Sequence, residues 1–78
     1  MPLVDIKLIE GTFSEDEKKK LIKDVTDVIV SFMGENLRGH TLVVVQELKS
    51  GSWGVGGQAI GLEDVRAMQA GSTQKAEK

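Results

Sequence analysis

The sequence predicts an α/β chain: a small β-α-β subunit with two parallel strands and a short hairpin near the C-terminus, assembled into an oligomer. Three observations predict it. An alternating apolar segment opens the chain, a capped amphipathic helix follows, and a second apolar strand closes the unit. At 78 residues and 8.5 kDa there is room for one domain. A monomer of this size buries only about 60–65% of its unfolded surface, so it is marginal without a staple. The chain has no Cys and one His, which excludes disulfides, thiolate metal sites and the usual zinc clusters. Oligomerisation is the route that remains.

Leu3 to Ile9 reads as the first strand. Val4, Ile6 and Leu8 fall on one face; Leu3, Asp5, Lys7 and Ile9 fall on the other. Glu10-Gly11-Thr12 reads as a turn. Ser14 to Met33 is the clearest element. Ser14 is a good N-cap, Glu17 completes a capping box, and Glu15, Asp16 and Glu17 place negative charge on the positive end of the helix dipole. Leu21, Ile22, Val25, Val28, Ile29, Phe32 and Met33 recur as one helical stripe, and Gly34 is the stop. The helix is about 28 Å long. Lys18, Lys19, Lys20 and Lys23 read as a solvated face with pairs such as Glu15–Lys19, Asp16–Lys20 and Lys20–Asp24.

Gly34 to His40 reads as a connection, and Thr41 to Leu48 as the second strand, apolar on both faces through Leu42-Val43-Val44-Val45. A strand, a long helix and a strand make a right-handed crossover with parallel strands. One helix covers one face of a two-stranded sheet, so partner subunits must cover more. Trp53-Gly54-Val55-Gly56-Gly57 suggests positive φ angles, a small hairpin or close backbone approach. A nucleotide-binding glycine loop fails on context, because no helix clearly opens at Gly57. Leu62 to Ala70 reads as a short helix. From Gly71 to Lys78 the composition turns polar and reads as a frayed tail.

The formal net charge of −2 argues against nucleic acid as the main partner. No signal peptide is visible, and the longest aliphatic run, Leu42 to Val45, is far short of a membrane span. A soluble, cytoplasmic protein is expected, with no nucleic-acid or membrane partner and no metal or organic cofactor.

Catalytic residue types are scarce. His40 reads as a loop residue, and nothing in the spacing of Asp5 and Glu47 singles them out as paired acids. Pro2 is the sole proline. A methionine followed by a small residue is ordinarily removed, which leaves a proline with a free secondary amine. An α-amino group has an ordinary pKa near 7.7–8.0, lowered by burial or nearby cations. Such an amine suits a general base or a nucleophile toward carbonyl compounds. The plain alternative is a proline that merely begins an edge strand.

The combination carries further. Pro2 heads a strand ending Leu8-Ile9-Glu10-Gly11, the capped helix runs Ser14 to Ile22 with three consecutive lysines, the second strand ends Gln46-Glu47-Leu48, and Trp53-Gly54-Val55-Gly56-Gly57 follows. From Pro2 to about Gly57 the chain resembles the 4-oxalocrotonate tautomerase family. The resemblance implies residues 1–78 as a single tautomerase-like domain, a hexamer built from dimers, and a cofactor-independent isomerase with a place in aromatic-compound degradation. It implies Pro2 as the catalytic base that moves a proton in an enol or unsaturated 2-oxo acid, with Trp53 as an apolar wall. Family members that act on dicarboxylates carry an Arg after the Glu-Gly pair and another early in the second strand. Here Thr12 and, by ungapped alignment, Leu42 stand in those places. The implied substrate-binding set is therefore Arg38, Thr12, Leu42 and Trp53: either the substrate is less anionic than a dicarboxylate, or Arg38, four residues before Leu42, takes a substitute role, with Lys7 in the first strand the other cation at hand. Alternatives are a subunit of a mixed hexamer whose partner chain supplies the arginines, and a non-catalytic oligomeric scaffold.

Overall fold

The computed structural model describes residues 1–71. Its elements are β1 (Leu3–Ile9), α1 (Glu15–Met33), a 3-10 segment (Glu35–His40), β2 (Leu42–Leu48), β3 (Trp53–Val55), β4 (Gln58–Ile60) and α2 (Leu62–Gln69). The predicted order of strand, helix and strand is the observed one. The tail predicted from Gly71 falls, beyond that residue, outside the described part.

The described backbone divides into two compact units, Met1–Lys7 with Phe13–Gln46, and Leu8–Thr12 with residues 47–71. β1 and β2 begin in the first and end in the second. They form a two-stranded sheet. The Leu42 amide donates to the Pro2 carbonyl at 3.0 Å, and the Glu10 amide donates to the Leu48 carbonyl at 2.8 Å. Both bonds advance in the same direction along the two strands, which is parallel pairing with Leu3 beside Leu42 and Ile9 beside Leu48.

In the first unit, alternation decides which strand positions are covered. Val4 and Ile6 of β1 and Val43 and Val45 of β2 are half-buried, while Leu3, Asp5, Lys7, Leu42, Val44 and Gln46 are exposed. On α1 the half-buried positions include Leu21, Val25 and Ile29, and Val30 is buried. The helix begins as its sequence dictates. The Ser14 hydroxyl accepts from the Glu17 amide at 3.1 Å, and the Glu17 carboxylate accepts from the Ser14 amide at 2.8 Å. Gly34 ends it at φ 101°, with its amide on the Val30 carbonyl. That positive φ cannot continue an α-helix. The connection predicted over Gly34 to His40 winds instead as a tighter 3-10 segment, with the Leu37 amide on Gly34 and the Thr41 amide on Arg38.

Lys19, Lys20 and Lys23 are exposed as expected, whereas Lys18 is half-buried, with 17% of its side chain exposed. Lys20 pairs with Asp24 and Lys23 with Asp27, whereas Glu15 pairs with Lys18 at spacing three rather than with Lys19. The apolar stripe is not fully covered by the chain itself: Phe32 is 85% exposed and Val28 is 55% exposed.

In the second unit, β3 and β4 pair antiparallel, with Trp53 opposite Ile60 and Val55 opposite Gln58. Gly56 and Gly57 make the two-residue turn at φ 60° and 85°. Two successive positive φ angles define the type I′ turn that suits a right-twisted hairpin, and glycine adopts them without strain. The Gly-rich segment is thus a hairpin. Ile9 and Ile60 are buried in this unit. α2 follows β4 directly, and the Asp64 carboxylate accepts from the Gly61 amide at 3.0 Å at its start.

Candidate functional site

Pro2 is half-buried at the entrance to β1. Its carbonyl is held by the Leu42 amide, so the first parallel bond of the sheet fixes the residue that carries the candidate amine. Met1, beyond it, is 80% exposed. Leu42 opens β2 on the outward face, with Leu3 and Val44 also exposed there. Pro2 and Leu42 are therefore backbone neighbours beside the apolar end of an outward sheet face that turns polar at Asp5, Lys7 and Gln46.

Arg38 lies in the 3-10 segment of the same unit. Its Nε donates to Glu35 at 2.6 Å and its Nη1 donates to Asp27 at 2.8 Å. Asp27 also accepts from Lys23 at 3.0 Å. Two cations and two anions make a neutral cluster. The hydrogen bonds from Arg38 hold the Glu35 and Asp27 carboxyls below their ordinary values, and the bond to Glu35, followed by that to Asp27, raises the guanidinium pKa further. Three of the five N–H donors are engaged, which leaves two for anything else.

Thr12 and Trp53 belong to the second unit. The Thr12 hydroxyl donates to the Ile9 carbonyl at 2.6 Å, and the Thr12 amide donates to the same oxygen at 3.2 Å. Its one hydroxyl hydrogen is committed, so Thr12 offers a ligand lone pairs rather than a proton. Trp53 is half-buried and opens β3.

Other candidates take plainer roles. Asp5 pairs with Lys7 at 2.8 Å along one strand face. His40 is exposed at the end of the 3-10 segment, and Glu47 is exposed near the end of β2. Among the described residues no group of three or more His, Cys, Asp or Glu could hold a metal ion, and no helix is long and apolar enough to cross a membrane.

Sequence reading passes over Ser50 and Arg66. The Ser50 hydroxyl accepts from the Leu62 amide at 2.9 Å, and its own amide donates to the Glu10 carboxylate at 3.2 Å. The Arg66 Nη2 donates to the Gly11 carbonyl at 2.7 Å. An open cavity of about 610 Å³ lies here, lined by Glu10, Gly11, Ser50, Gly61, Leu62 and Glu63. These residues carry no motif, because their partners lie 12 to 55 positions away.

Comparison with known proteins agrees with this frame. The family model described as tautomerase enzyme matches residues 2–63, beginning at Pro2. A probable tautomerase of Dickeya dadantii is 33% identical over 60 residues, covering 77% of this chain and 88% of the relative. A probable tautomerase of Staphylococcus aureus is 40% identical over 57 residues, covering 73% and 90%. Among solved structures, DmpI from Helicobacter pylori superposes with a TM-score of 0.65 at 30% identity, over 74% of this chain and 94% of that one. TomN, a 4-oxalocrotonate tautomerase homologue in the tomaymycin biosynthetic pathway, superposes with a TM-score of 0.70 at 29% identity, over 85% and 95%. With the β-α-β order, the parallel strands and the C-terminal hairpin in place, the chain belongs to the tautomerase family.

Proposed function

We propose that this chain is a cofactor-independent tautomerase, with the amine of Pro2, freed by removal of Met1, as its general base. The substrate is an enol of an unsaturated 2-oxo acid. The Pro2 nitrogen takes the enol hydroxyl proton into its lone pair as the carbonyl forms, then returns a proton to carbon. The proton count balances, and no electrons leave the substrate. The observation that carries this reading is the placement of Pro2: it starts the family match and its carbonyl is pinned to β2 by Leu42.

The rest of the site supports a weakly anionic substrate. Leu42 and Trp53 contribute apolar surface. Thr12 offers lone pairs that accept the enol O–H as substrate binds, and that hydrogen turns to the Pro2 nitrogen before transfer. Arg38 acts only through its two remaining N–H groups, with its charge already balanced by Asp27 and Glu35. A dicarboxylate needs more than one free cation to repay its desolvation, so a single carboxylate is the better fit.

The functional form is a homohexamer in the cytoplasm, acting on a small molecule in aromatic-compound degradation. Exposed Phe32, Val28, Leu3 and Leu42 support assembly, since apolar surface on this scale gains from being covered. The balanced charge of Arg38 favours one second reading, a mixed hexamer in which a partner chain brings the cation.

Ultraviolet assay of phenylenolpyruvate and 2-hydroxymuconate ketonisation tests the reading. The chain, shown by mass to lack Met1, is compared with Pro2→Ala. Turnover that collapses in the variant, with phenylenolpyruvate preferred, is the expected result. Equal rates for both proteins would overturn it.

A further inference from the structure

Contacts converge on Glu10, Gly11 and the residue that follows them. The Glu10 amide is held by Leu48. The Glu10 carboxylate accepts from the Ser50 amide, and the Ser50 hydroxyl in turn accepts from the Leu62 amide at the first residue of α2. Gly11 stands at φ 84°, and a Cβ there would lie 2.9 Å from Leu62 Cδ2. Gly61 is as tight, since a Cβ would lie 2.6 Å from the Ser50 hydroxyl oxygen. The Gly11 carbonyl accepts from Arg66, whose other amino group donates to Gln69 at 3.0 Å. Thr12 then hangs from Ile9 through both its amide and its hydroxyl.

Two features mark Arg66 as more than a surface cation. Among the described residues both its acceptors are uncharged oxygens, so its positive charge is spent on the backbone of the turn rather than on an ion pair. A guanidinium bond of this kind is stronger than one between neutral groups. The family match also ends at residue 63, so Arg66 and Gln69 lie beyond it. α2 opens at Leu62, inside that match, and carries Arg66 and Gln69 past its end, and it is tied to the turn that precedes α1.

We propose that α2 is a strap on the Glu10-Gly11-Thr12 turn, and that Arg66 is a positioning residue that sets how tightly substrate binds. This rests on the tautomerase reading in which Thr12 accepts from the substrate enol. Arg66 and Leu62 hold Gly11 in its positive-φ form, and that form presents the Thr12 hydroxyl with its hydrogen turned to Ile9 and its lone pairs free. Without the strap the turn populates other conformations, and binding must select the competent one. A ligand that selects a fractionally populated state loses apparent affinity in proportion. The proton transfer at Pro2 is a separate event, so the effect falls on KM rather than on kcat.

The test uses the full chain with Arg66→Ala, Arg66→Lys and the milder Gln69→Ala. Phenylenolpyruvate kinetics are measured alongside thermal melting and amide hydrogen exchange at Thr12. For Arg66→Ala the expected result is KM raised about fivefold and kcat within about twofold, the scale of one lost hydrogen bond. Faster Thr12 exchange accompanies it. Arg66→Lys restores part of both, and Gln69→Ala shows a smaller change in the same direction. If Arg66→Ala does not fold, Gln69→Ala decides with the same readouts. Unchanged KM and unchanged Thr12 exchange would overturn the proposal, as would a loss in kcat alone. Exchange needs no turnover, so it judges the strap even where Pro2→Ala shows that the proline reading fails.

Discussion

The amide of Leu42 donates to the carbonyl of Pro2 at 3.0 Å, so the first residue of one strand holds the candidate base at the head of the other. A terminal amine is ordinarily the most mobile group of a chain. Here the residue that bears it in the proposed enzyme, once Met1 is removed, is anchored by a sheet bond made 40 positions later in the sequence. Anchoring of this kind supplies the orientation that general-base catalysis needs.

Substitution Pro2→Ala keeps a terminal amine but replaces a ring-constrained secondary amine with a freely rotating primary one. The expected loss in kcat/KM on phenylenolpyruvate is about 10²-fold, the lower end of what a positioned base contributes. The Pro2 carbonyl bond survives in the variant, so the melting temperature stays near that of the wild type. Parallel assay and melting check both halves; full activity in the variant would remove Pro2 from the mechanism.

Arg38→Gln separates the two roles open to that residue. Its charge is balanced by Asp27 and Glu35, so kcat/KM for a monocarboxylate enol is expected to fall by less than about tenfold, against the larger loss expected for a sole carboxylate-binding arginine. Steady-state kinetics on both enol substrates measure it.

The same cluster makes stability depend on pH. The Asp27 and Glu35 carboxyls titrate lower in the folded chain than their ordinary 3.8 and 4.5. The unfolded chain therefore binds more protons between the folded and unfolded values, and stability rises with pH there. The contribution is complete above about pH 5 and is lost as pH falls through the lowered folded values. Melting curves from pH 3 to 7 should show wild type above Arg38→Gln at neutral pH, with the gap closing in acid. A gap that stays constant across that range would show that the cluster does not stabilise the fold.

Gly57→Ala places a Cβ on a residue at φ 85° in the hairpin turn. The expected cost is about 1 kcal/mol, the penalty for a left-handed alanine. Gly57→Asn should cost less, because Asn tolerates that region better. Denaturant titration of the three proteins gives the order directly.

Phe32→Asp tests assembly. Phe32 is 85% exposed on α1, with Val28 and Met33 also exposed nearby on the helix. Wild type is expected well above 8.5 kDa by light scattering, and Phe32→Asp in a smaller species. A wild type that runs as a monomer at assay concentration would overturn the hexamer.

Much of the fold was legible because its determinants are local. Ser14 and Glu17 are three residues apart, and a capping box closes within one helical turn. The period-two pattern of Val4, Ile6 and Leu8 needs only the strand itself. Gly56-Gly57 is a complete turn signal once strands flank it, although the sequence alone left a hairpin among three options. Pro2 stood out as the sole proline.

Tertiary structure decided the rest, because those partners are distant in sequence. Arg38 is an unattached cation in the sequence and a balanced one in the fold, since Asp27 lies 11 residues back on α1. Thr12 is a hydroxyl of open orientation until Ile9 accepts its hydrogen. Arg66 and Gly11 meet across 55 residues, and no spacing rule reaches that far. Local pattern determines which segments are helix and strand. Which side chains have spent their charge and their protons, and so what chemistry remains to them, is set only when packing brings remote segments together.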